Sequence, residues 1–431
     1  MAGGTTEGAP PRAPKVLLGV AGGIAAYKAC EILRLLRSAG ADVIVVPTPN
    51  ALKFIGAATF EALSGHPVAT DVFTDVPHVA HVATGQQADL VVVAPATADL
   101  LARAAAGRAD DLLAATLLVT RAPVLMAPAM HTEMWTHPAT VENVQRLRQR
   151  GLTVLDPAVG RLTGADSGAG RLPEPDQIVA LALLLLRRPD ALPRDLVGRR
   201  LLVTAGGTRE PLDPVRYLGN RSSGKQGFAV ALVAAARGAQ VTVVAANTAL
   251  IGPPGATIVP VADARDLQAR VTELVTDADA VVMAAAVADF RPKVIVASKI
   301  KKDNRSEPAA LELVTNPDIL AGLAADRAGP GSGPAQRPGM PVIVGFAAET
   351  GDEHGSVLDH GRAKLARKGC DLLVVNGVGD GRAFEVDDNA AVILAADGSD
   401  PIDVPLGPKT VLGAVICDEL SRRLSTVDAA L

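Results

Sequence analysis

A chain of 431 residues is longer than one ordinary core fills, so its length favours about two or three domains. It is 48% apolar with 20% charged residues spread along it, as in a globular protein in water, and no run of about 18 apolar residues offers a transmembrane helix. The formal net charge of −4 gives no general attraction to nucleic acid and leaves only local basic patches for phosphates.

In chain order, the first 14 residues, MAGGTTEGAPPRAP, are small, polar and Pro-rich. They lack an apolar h-region and predict a disordered tail rather than a signal peptide. Lys15 begins KVLLGVAGGIAAYK, an apolar strand, a glycine turn and then a helix start. Further short apolar runs follow at VIVV (43–46), LVVVAPA (90–96) and VLMAPA (124–129). Runs that are continuous rather than alternating suit strands covered on both faces, hence a parallel sheet.

The Pro-rich RRPDALPRDLVG, 187–198, reads as a linker, after which the pattern restarts. RLLVTAGGTREP (200–211), VTVVAA (241–246), AVVMAAAVADF (280–290), VIVGFAAET (342–350) and DLLVVNGV (371–378) predict strands with their exit loops. Helices are expected over 223–238, 263–276 and 356–368, and the Gly/Pro-rich 328–340 reads as a surface connection. The expected organisation is a tail (1–14), a domain over 15–188, a linker over 189–198 and a second domain over 199–431. Both domains are α/β, doubly wound parallel sheets in tandem. Ligands in such sheets bind beyond the carboxyl ends of the strands, so the residues just after each strand are the candidates.

Cys30, Cys370 and Cys417 are widely spaced with no CxxC, which argues against a zinc ribbon or a disulfide framework. They read as buried small hydrophobes of a reducing cytoplasm. In the first half, GGIAAYK (22–28) offers backbone N–H groups and a helix start to a phosphate. APATADL (94–100) and APAMHTEMW (127–135) add two more strand-exit loops, and His81 precedes the 90–96 strand with His78 nearby. The loop GRLTGADSGAGR, 160–171, holds four glycines and no ready nucleophile.

Taken together, GGIAAYK, the placement of His81, APATADL, the PAM turn and the GRLTGADSGAGR loop resemble the flavin-dependent cysteine decarboxylases over about 15–186. The resemblance implies a flavodoxin-like, trimeric, FMN-binding fold acting on a C-terminal or pantothenoyl-linked cysteine. It assigns FMN to Gly22, Gly23, Ile24, Thr48, Phe54, Pro95, Ala96 and Thr97. The catalytic base matches His81, and the substrate contacts match Met130, His131, Gly164 and Asp166. Direct loss of CO2 from a cysteine would leave an unstabilised carbanion. Oxidising the thiol to a thioaldehyde first lets the charge settle as an enethiolate, after which reduced flavin returns the electrons.

Two positions depart from that family. His131 stands where an asparagine usually binds the substrate carboxylate, and Gly164 stands where a cysteine usually donates the last proton. An imidazole still hydrogen-bonds a carboxylate. The loss of the cysteine opens an alternative, in which the ligase half is active while this half is impaired or serves as a flavin-binding regulatory module.

In the second half, SSGKQG misses the Walker A spacing because Gln226 follows Lys225. The motifs REPLDPVRYLGNRSSGK, AAAVADFRP, KIKK, NPDIL, GFAAET and the Lys364/Lys368 pair resemble, in order, phosphopantothenate–cysteine ligase over about 199–424. The resemblance implies a Rossmann-like fold that dimerises. In the implied reaction a carboxylate attacks the α-phosphorus of CTP, giving an acyl-cytidylate, and the cysteine amine then displaces CMP. Asn220 would contact the acyl-cytidylate, with Arg216, Ala285 and Ala286 at the substrate. Met283, Ala284, Ala285, Asp289, Lys299, Pro317, Asp318, Ile319, Leu320, Phe346, Lys364 and Lys368 would bind CTP, with Asp289 also on Mg2+ and Lys299 stabilising the transition state.

The whole chain thus resembles the bifunctional coenzyme A biosynthesis flavoproteins of bacteria. That implies 4'-phosphopantothenate, cysteine and CTP as substrates, FMN and Mg2+ as cofactors, and a cytoplasmic dodecamer with neither nucleic acid nor membrane as partner.

Overall fold

The computed structural model describes residues 12–68, 85–162, 166–300, 310–328, 340–349, 355–377 and 387–430. It divides into two compact units between Ala191 and Leu192, a break that falls inside the Pro-rich stretch 187–198. That stretch is packed: Ala191 and Leu196 are completely buried.

The first unit runs β1 (Lys15–Val20), α1 (Ala29–Ser38), β2 (Asp42–Pro47), α2 (Ala57–Ser64), β3 (Leu90–Ala96), α3 (Ala98–Ala106) and α4 (Leu112–Val119). It continues through β4 (Val124–Pro128), α5 (Thr132–Thr136), α6 (Pro138–Gln149), β5 (Thr153–Val154), the hairpin β6 (Ala158–Arg161) and β7 (Ser167–Arg171), and α7 (Pro175–Arg187). Five parallel strands lie in the order β2-β1-β3-β4-β5. This is the flavodoxin-like order, whose strand succession reverses between β1 and β3 and opens a crevice there.

Every residue of β3 is buried, because helices cover both faces of the central strand. Helix α1 turns Ile32, Leu33 and Leu36 inward, and α7, started by Pro175 at its first position, packs on it with Ile178, Leu181 and Leu185 buried. One expectation is corrected at the start of the chain. Arg12 pairs with both Asp89 carboxylate oxygens at 2.8 and 3.0 Å, and the Asp42 amide donates to Pro14 O at 2.9 Å. Residues 12–14 are therefore ordered, held by the start of the sheet, while residues 1–11 of the expected tail lie outside the described residues.

The second unit runs β8 (Arg200–Gly206), β9 (Arg209–Pro211), β10 (Tyr217–Gly219), α8 (Lys225–Ala236), β11 (Gln240–Ala246), β12 (Thr257–Val261), α9 (Ala264–Leu274) and β13 (Ala280–Met283). Next come β14 (Phe290–Pro292), β15 (Leu313–Thr315), α10 (Ile319–Ala328), β16 (Val342–Glu349), α11 (Val357–Lys368) and β17 (Leu372–Gly377). β18 (Asp388–Ala395), β19 (Ile402–Pro408) and α12 (Lys409–Ala430) complete it. The sheet order is β12-β11-β8-β13-β16-β17-β18-β19. The strands from β12 to β17 pair in parallel, as the doubly wound class requires.

The last two strands are an antiparallel addition that the apolar-run reading did not find. Their signal was the Asp397-Gly398 turn between two β-prone segments, with Gly398 at φ +80°. Prolines 405 and 408 blunt the free edge at β19. Of the surface connection expected over 328–340, residues 329–339 lie outside the described residues.

Helix α12 packs along α8 and closes one face. Arg237, with 1% of its side chain exposed, joins these elements: it reaches Asp195 at 2.5 Å and Asp418 at 2.7 Å, and donates to Ala414 O. Burial pushes the Asp195 carboxyl up, but hydrogen bonds from Arg237 and Ser421 more than reverse this and hold it below the ordinary aspartate range.

Candidate functional site

In the first unit the exits of β1, β2, β3 and β4 converge on one cavity of about 570 Å3, within the size range of small-molecule sites. Its floor is the turn after β1. There Gly22 lies so close to the β2 exit that a Cβ on it would stand 2.4 Å from Asn50 Cβ and 2.6 Å from the Asn50 carbonyl carbon. Only glycine fits. Thr48, 4% exposed, is held by its amide on Val20 O, and its hydroxyl accepts from the Ala51 amide at 3.2 Å. That hydroxyl keeps its own proton for a ligand.

The Ala21 amide donates to Pro95 O at 3.1 Å, which ties the first turn to the exit of β3. Thr97 then caps α3 by accepting from the Leu100 amide. Beyond β4, Met130 donates its amide to Gly170 O at 2.9 Å, so the β6–β7 hairpin lies against the PAM turn. A Cβ on Gly170 would stand 2.2 Å from Met130 O, which is why the glycine-rich return strand approaches so closely. His131, exposed at the cavity wall, starts α5.

Of the predicted flavin residues, Gly22, Gly23, Ile24, Thr48, Pro95 and Thr97 line this cavity, as do the predicted substrate residues Met130 and His131. Ala96 is buried within β3 and Phe54 is half exposed, and neither lines the cavity. Asp166 is exposed just before β7 and is not among the residues lining the cavity. His81 and Gly164, with His78, lie outside the described residues.

Sequence reasoning missed the cations of the wall. Lys28, Arg103, Arg161 and Arg171 all line it, with Asp99 beside Arg103 at 3.0 Å. Lys28 was visible as the last residue of GGIAAYK, whereas the arginines come from separate elements. Backbone amides at a glycine turn, apolar Ile24, Met130 and Leu172, and several cations are the complement of a flat ring system carrying a phosphate. The chain's own residues therefore fit FMN.

In the second unit the exits of β8, β11 and β13 are laced together. Gly206, at φ +87°, passes so close to the β11 exit that a Cβ would meet Ala246 O at 1.9 Å. Asn247 donates to Gly207 O at 2.9 Å and to Ala262 O at 2.7 Å. Thr208, fully buried, donates its amide to Ala286 O and accepts from the Ala288 amide. Ala285 donates its amide to Thr204 Oγ1 at 3.0 Å.

Asn220 donates to Val287 O at 2.9 Å, which binds the loop before α8 to the exit of β13. It also lines a smaller cavity of about 250 Å3 with Arg209, Tyr217, Ser222 and Asn247. The Arg209 guanidinium lies 4.7 Å from the centre of the Tyr217 ring. Arg216 is committed elsewhere: it pairs at 2.6 Å with the buried Asp213 and donates to Ile300 O. Hydrogen bonding from Arg216 holds the Asp213 carboxyl far below its ordinary range despite burial.

The remaining predicted nucleotide residues are spread over strands, loops and helices of the second unit. Met283 ends β13, Ala284 follows it, and Asp289 and Lys299 are exposed. Phe346 lies in β16, half buried. Lys364 pairs with Glu349 at 2.8 Å, and Lys368 pairs with Asp318. These pairs fasten α11 to the end of β16 and to the Pro317–Leu320 turn that starts α10. Burial raises the Asp318 carboxyl, but the Lys368 hydrogen bond outweighs it and leaves the group below the usual range. Among the described residues no group of three or more His, Cys, Asp or Glu forms a metal site. No helix among them is long and apolar enough to cross a membrane.

Comparison with known proteins gives two family matches, Flavoprotein over residues 6–186 and DNA/pantothenate metabolism flavoprotein C-terminal domain over 196–424. The coenzyme A biosynthesis bifunctional protein CoaBC of Mycobacterium tuberculosis is 64% identical over 411 residues, 95% of this chain and 97% of the relative. The Escherichia coli K12 protein of the same name is 41% identical over 413 residues, with 95% and 97% covered. Among solved structures, the C-terminal domain of CoaBC matches 54% of this chain and 99% of its own, at 32% identity and TM-score 0.43. The FMN-dependent cysteine decarboxylase SpaF matches 40% and 97% at 34% identity and TM-score 0.36.

Proposed function

The chain belongs to the family of bifunctional coenzyme A biosynthesis proteins, CoaBC, and from that premise we propose how its two activities, ligase and decarboxylase, divide between the two units. The second unit condenses 4'-phosphopantothenate with cysteine at the expense of CTP, through an acyl-cytidylate. The first unit decarboxylates the resulting 4'-phosphopantothenoylcysteine to 4'-phosphopantetheine with FMN. The observation that carries this reading is the convergence of Gly22, Gly23, Thr48, Pro95, Thr97, Met130 and His131 on one cavity at the β1/β3 switch point.

FMN, when bound, supplies a two-electron acceptor and donor, so that the bond to CO2 breaks without an unstabilised carbanion. The protein's part is to bind and orient. The glycine turn and Thr48 hold the cofactor, with Pro95 and Thr97 along it. His131 takes the substrate carboxylate by hydrogen bond in place of the asparagine usual at that position. His81 serves as the base, and the last proton comes from water, His131 or another group near the hairpin, since Gly164 has none to give.

In the ligase half, Asn220 and the small residues Ala285 and Ala286 form the acyl-cytidylate pocket. Lys299 neutralises charge developing on the phosphates. Asp289 holds Mg2+ together with the nucleotide, in the usual manner of one or two carboxylates plus phosphate oxygens. Lys364 and Lys368 exchange carboxylate partners for phosphate. Ile24, Tyr27 and Met134 border the first cavity with 73, 59 and 48% of their surface exposed. This apolar rim supports a homo-oligomer in which a second copy covers it. A trimeric first unit and a dimeric second unit together give a dodecamer.

The test is product analysis of the full chain with CTP, 4'-phosphopantothenate and cysteine in one pot. His81→Asn accumulates the cysteinyl intermediate, and Lys299→Gln abolishes condensation. Wild-type yields of 4'-phosphopantetheine from either variant refute the assignment of that residue. Release of CO2 without the saturated thiol product refutes a replacement proton donor.

A further inference from the structure

Glu174 stands between β7 and α7 and is absent from the cavity wall, yet it holds two residues that form that wall. One carboxylate oxygen accepts from Lys28 Nζ at 3.0 Å, and the other accepts from Arg171 Nη2 at 2.5 Å. Lys28 ends the turn that follows Gly22 and Gly23, and Arg171 ends the return strand of the hairpin. Both line the cavity. The Lys28–Glu174 pair is largely shielded, with 12 and 17% of the two side chains exposed, so water screens it little. One acid thus joins the glycine turn to the hairpin across 146 residues of sequence.

Its stoichiometry is the informative part. Two cations share one anion. An ammonium has three donors and a guanidinium five, so after serving Glu174 both Lys28 and Arg171 retain N–H groups for a further acceptor. A phosphomonoester dianion suits such an arrangement, because charge-assisted donors fixed in place gain more from it than mobile ones. We infer that Glu174 is a positioning residue, which fixes Lys28 and Arg171 for the phosphomonoester of a ligand bound in this cavity. The inference rests on the flavin decarboxylase reading of the first unit. The phosphomonoester belongs to FMN or to the phosphopantothenoyl substrate.

The alternative role for Glu174 is plain charge neutralisation, and it has the opposite sign. Removing an acid beside a phosphate site that it merely neutralises tightens phosphate binding. Removing one that positions the donors loosens it. The experiment uses the full-length chain, stripped of flavin, as wild type and Glu174→Gln. One arm compares the affinities for FMN and riboflavin by flavin fluorescence. The other, at saturating FMN, compares KM for 4'-phosphopantothenoylcysteine and pantothenoylcysteine.

The expected result is an affinity loss of about tenfold for the phosphorylated member of one pair, with its dephosphorylated partner unchanged. The affected pair identifies the source of the phosphate. Equal losses for both members of each pair, no loss, or tighter binding overturns the inference. Should Glu174→Gln fail to fold, Arg171→Gln, at the more exposed end of the bridge, must show the same phosphate-selective loss. Wild-type protein that binds no flavin overturns the decarboxylase reading itself, whereas wild type that binds flavin beside an unaffected variant overturns only the role of Glu174.

Discussion

Replacing Gly22 with alanine tests the flavin site through its floor rather than its contacts. An added Cβ would lie 2.4 Å from Asn50 Cβ, 2.6 Å from the Asn50 carbonyl carbon and 2.9 Å from the Ala51 nitrogen. The nearest contact falls about 1 Å short of ordinary van der Waals separation. Two of the three atoms are backbone, and that backbone is pinned: the Ala51 amide donates to Thr48 O at 2.9 Å and to Thr48 Oγ1 at 3.2 Å. The glycine turn must therefore move away from the exit of β2. Overpacking of this kind costs roughly 1–3 kcal/mol, and a turn displaced by about 1 Å no longer presents its amides correctly.

The expected outcome for Gly22→Ala is flavin binding about ten- to a hundredfold weaker, with a lowered melting temperature for the first unit and unchanged CTP-dependent condensation. Flavin absorbance per chain after desalting, fluorescence titration and differential scanning calorimetry measure these. Gly23→Ala is the internal control for stability alone, because its added Cβ meets only Thr97 Cγ2 at 3.5 Å, an ordinary contact. Wild-type flavin affinity and stability in Gly22→Ala would refute the reasoning, since the contact between the two strand exits would then not set the site.

Arg237→Met leaves Asp195 and Asp418 without their buried partner and should cost the second unit roughly 3 kcal/mol, seen as a lower urea midpoint with flavin binding unchanged. In native protein Cys417, with its thiol pushed by burial up to about 12, and Cys370, pushed up by burial to about 11, should resist alkylation at pH 8. Mass spectrometry after iodoacetamide should find at most the half-buried Cys30 modified, and all three cysteines after unfolding. The folded-state depression of Asp195, Asp213 and Asp318 makes their stabilisation complete above the ordinary aspartate pKa of about 3.9. It is lost as pH falls further, so urea midpoints should be flat from neutrality to about pH 5 and drop below about pH 4.

The apolar runs at 15–20, 43–46, 90–96 and 124–129 announced buried parallel strands because both faces of a central strand are covered, a constraint written into consecutive residues. The same logic found β8, β11, β13, β16 and β17. It passed over β18, β19 and α12: the apolar residues of β18 follow Asp388 and Asn389, those of β19 are interrupted by Asp403, Pro405 and Gly407, and α12 carries its buried residues Leu412, Ile416, Cys417, Leu420 and Leu424 at helical spacing among charges. Residues 12–14 of the expected tail are held in place, because Asp89 takes Arg12 and the amide of Asp42 takes Pro14 O.

The sequence by itself determined which segments form strands, which loops follow them and what chemistry those loops can offer. Hydrophobic burial and turn geometry act on neighbouring residues and leave a local pattern. Tertiary structure alone decided that Gly22 lies against Asn50, that Gly170 lies against Met130, that Arg237 reaches Asp195 and Asp418, and that Glu174 takes Lys28 as well as its near neighbour Arg171. Such pairings depend on close packing and on charge matched across space, and neither leaves a period or a spacing along the chain.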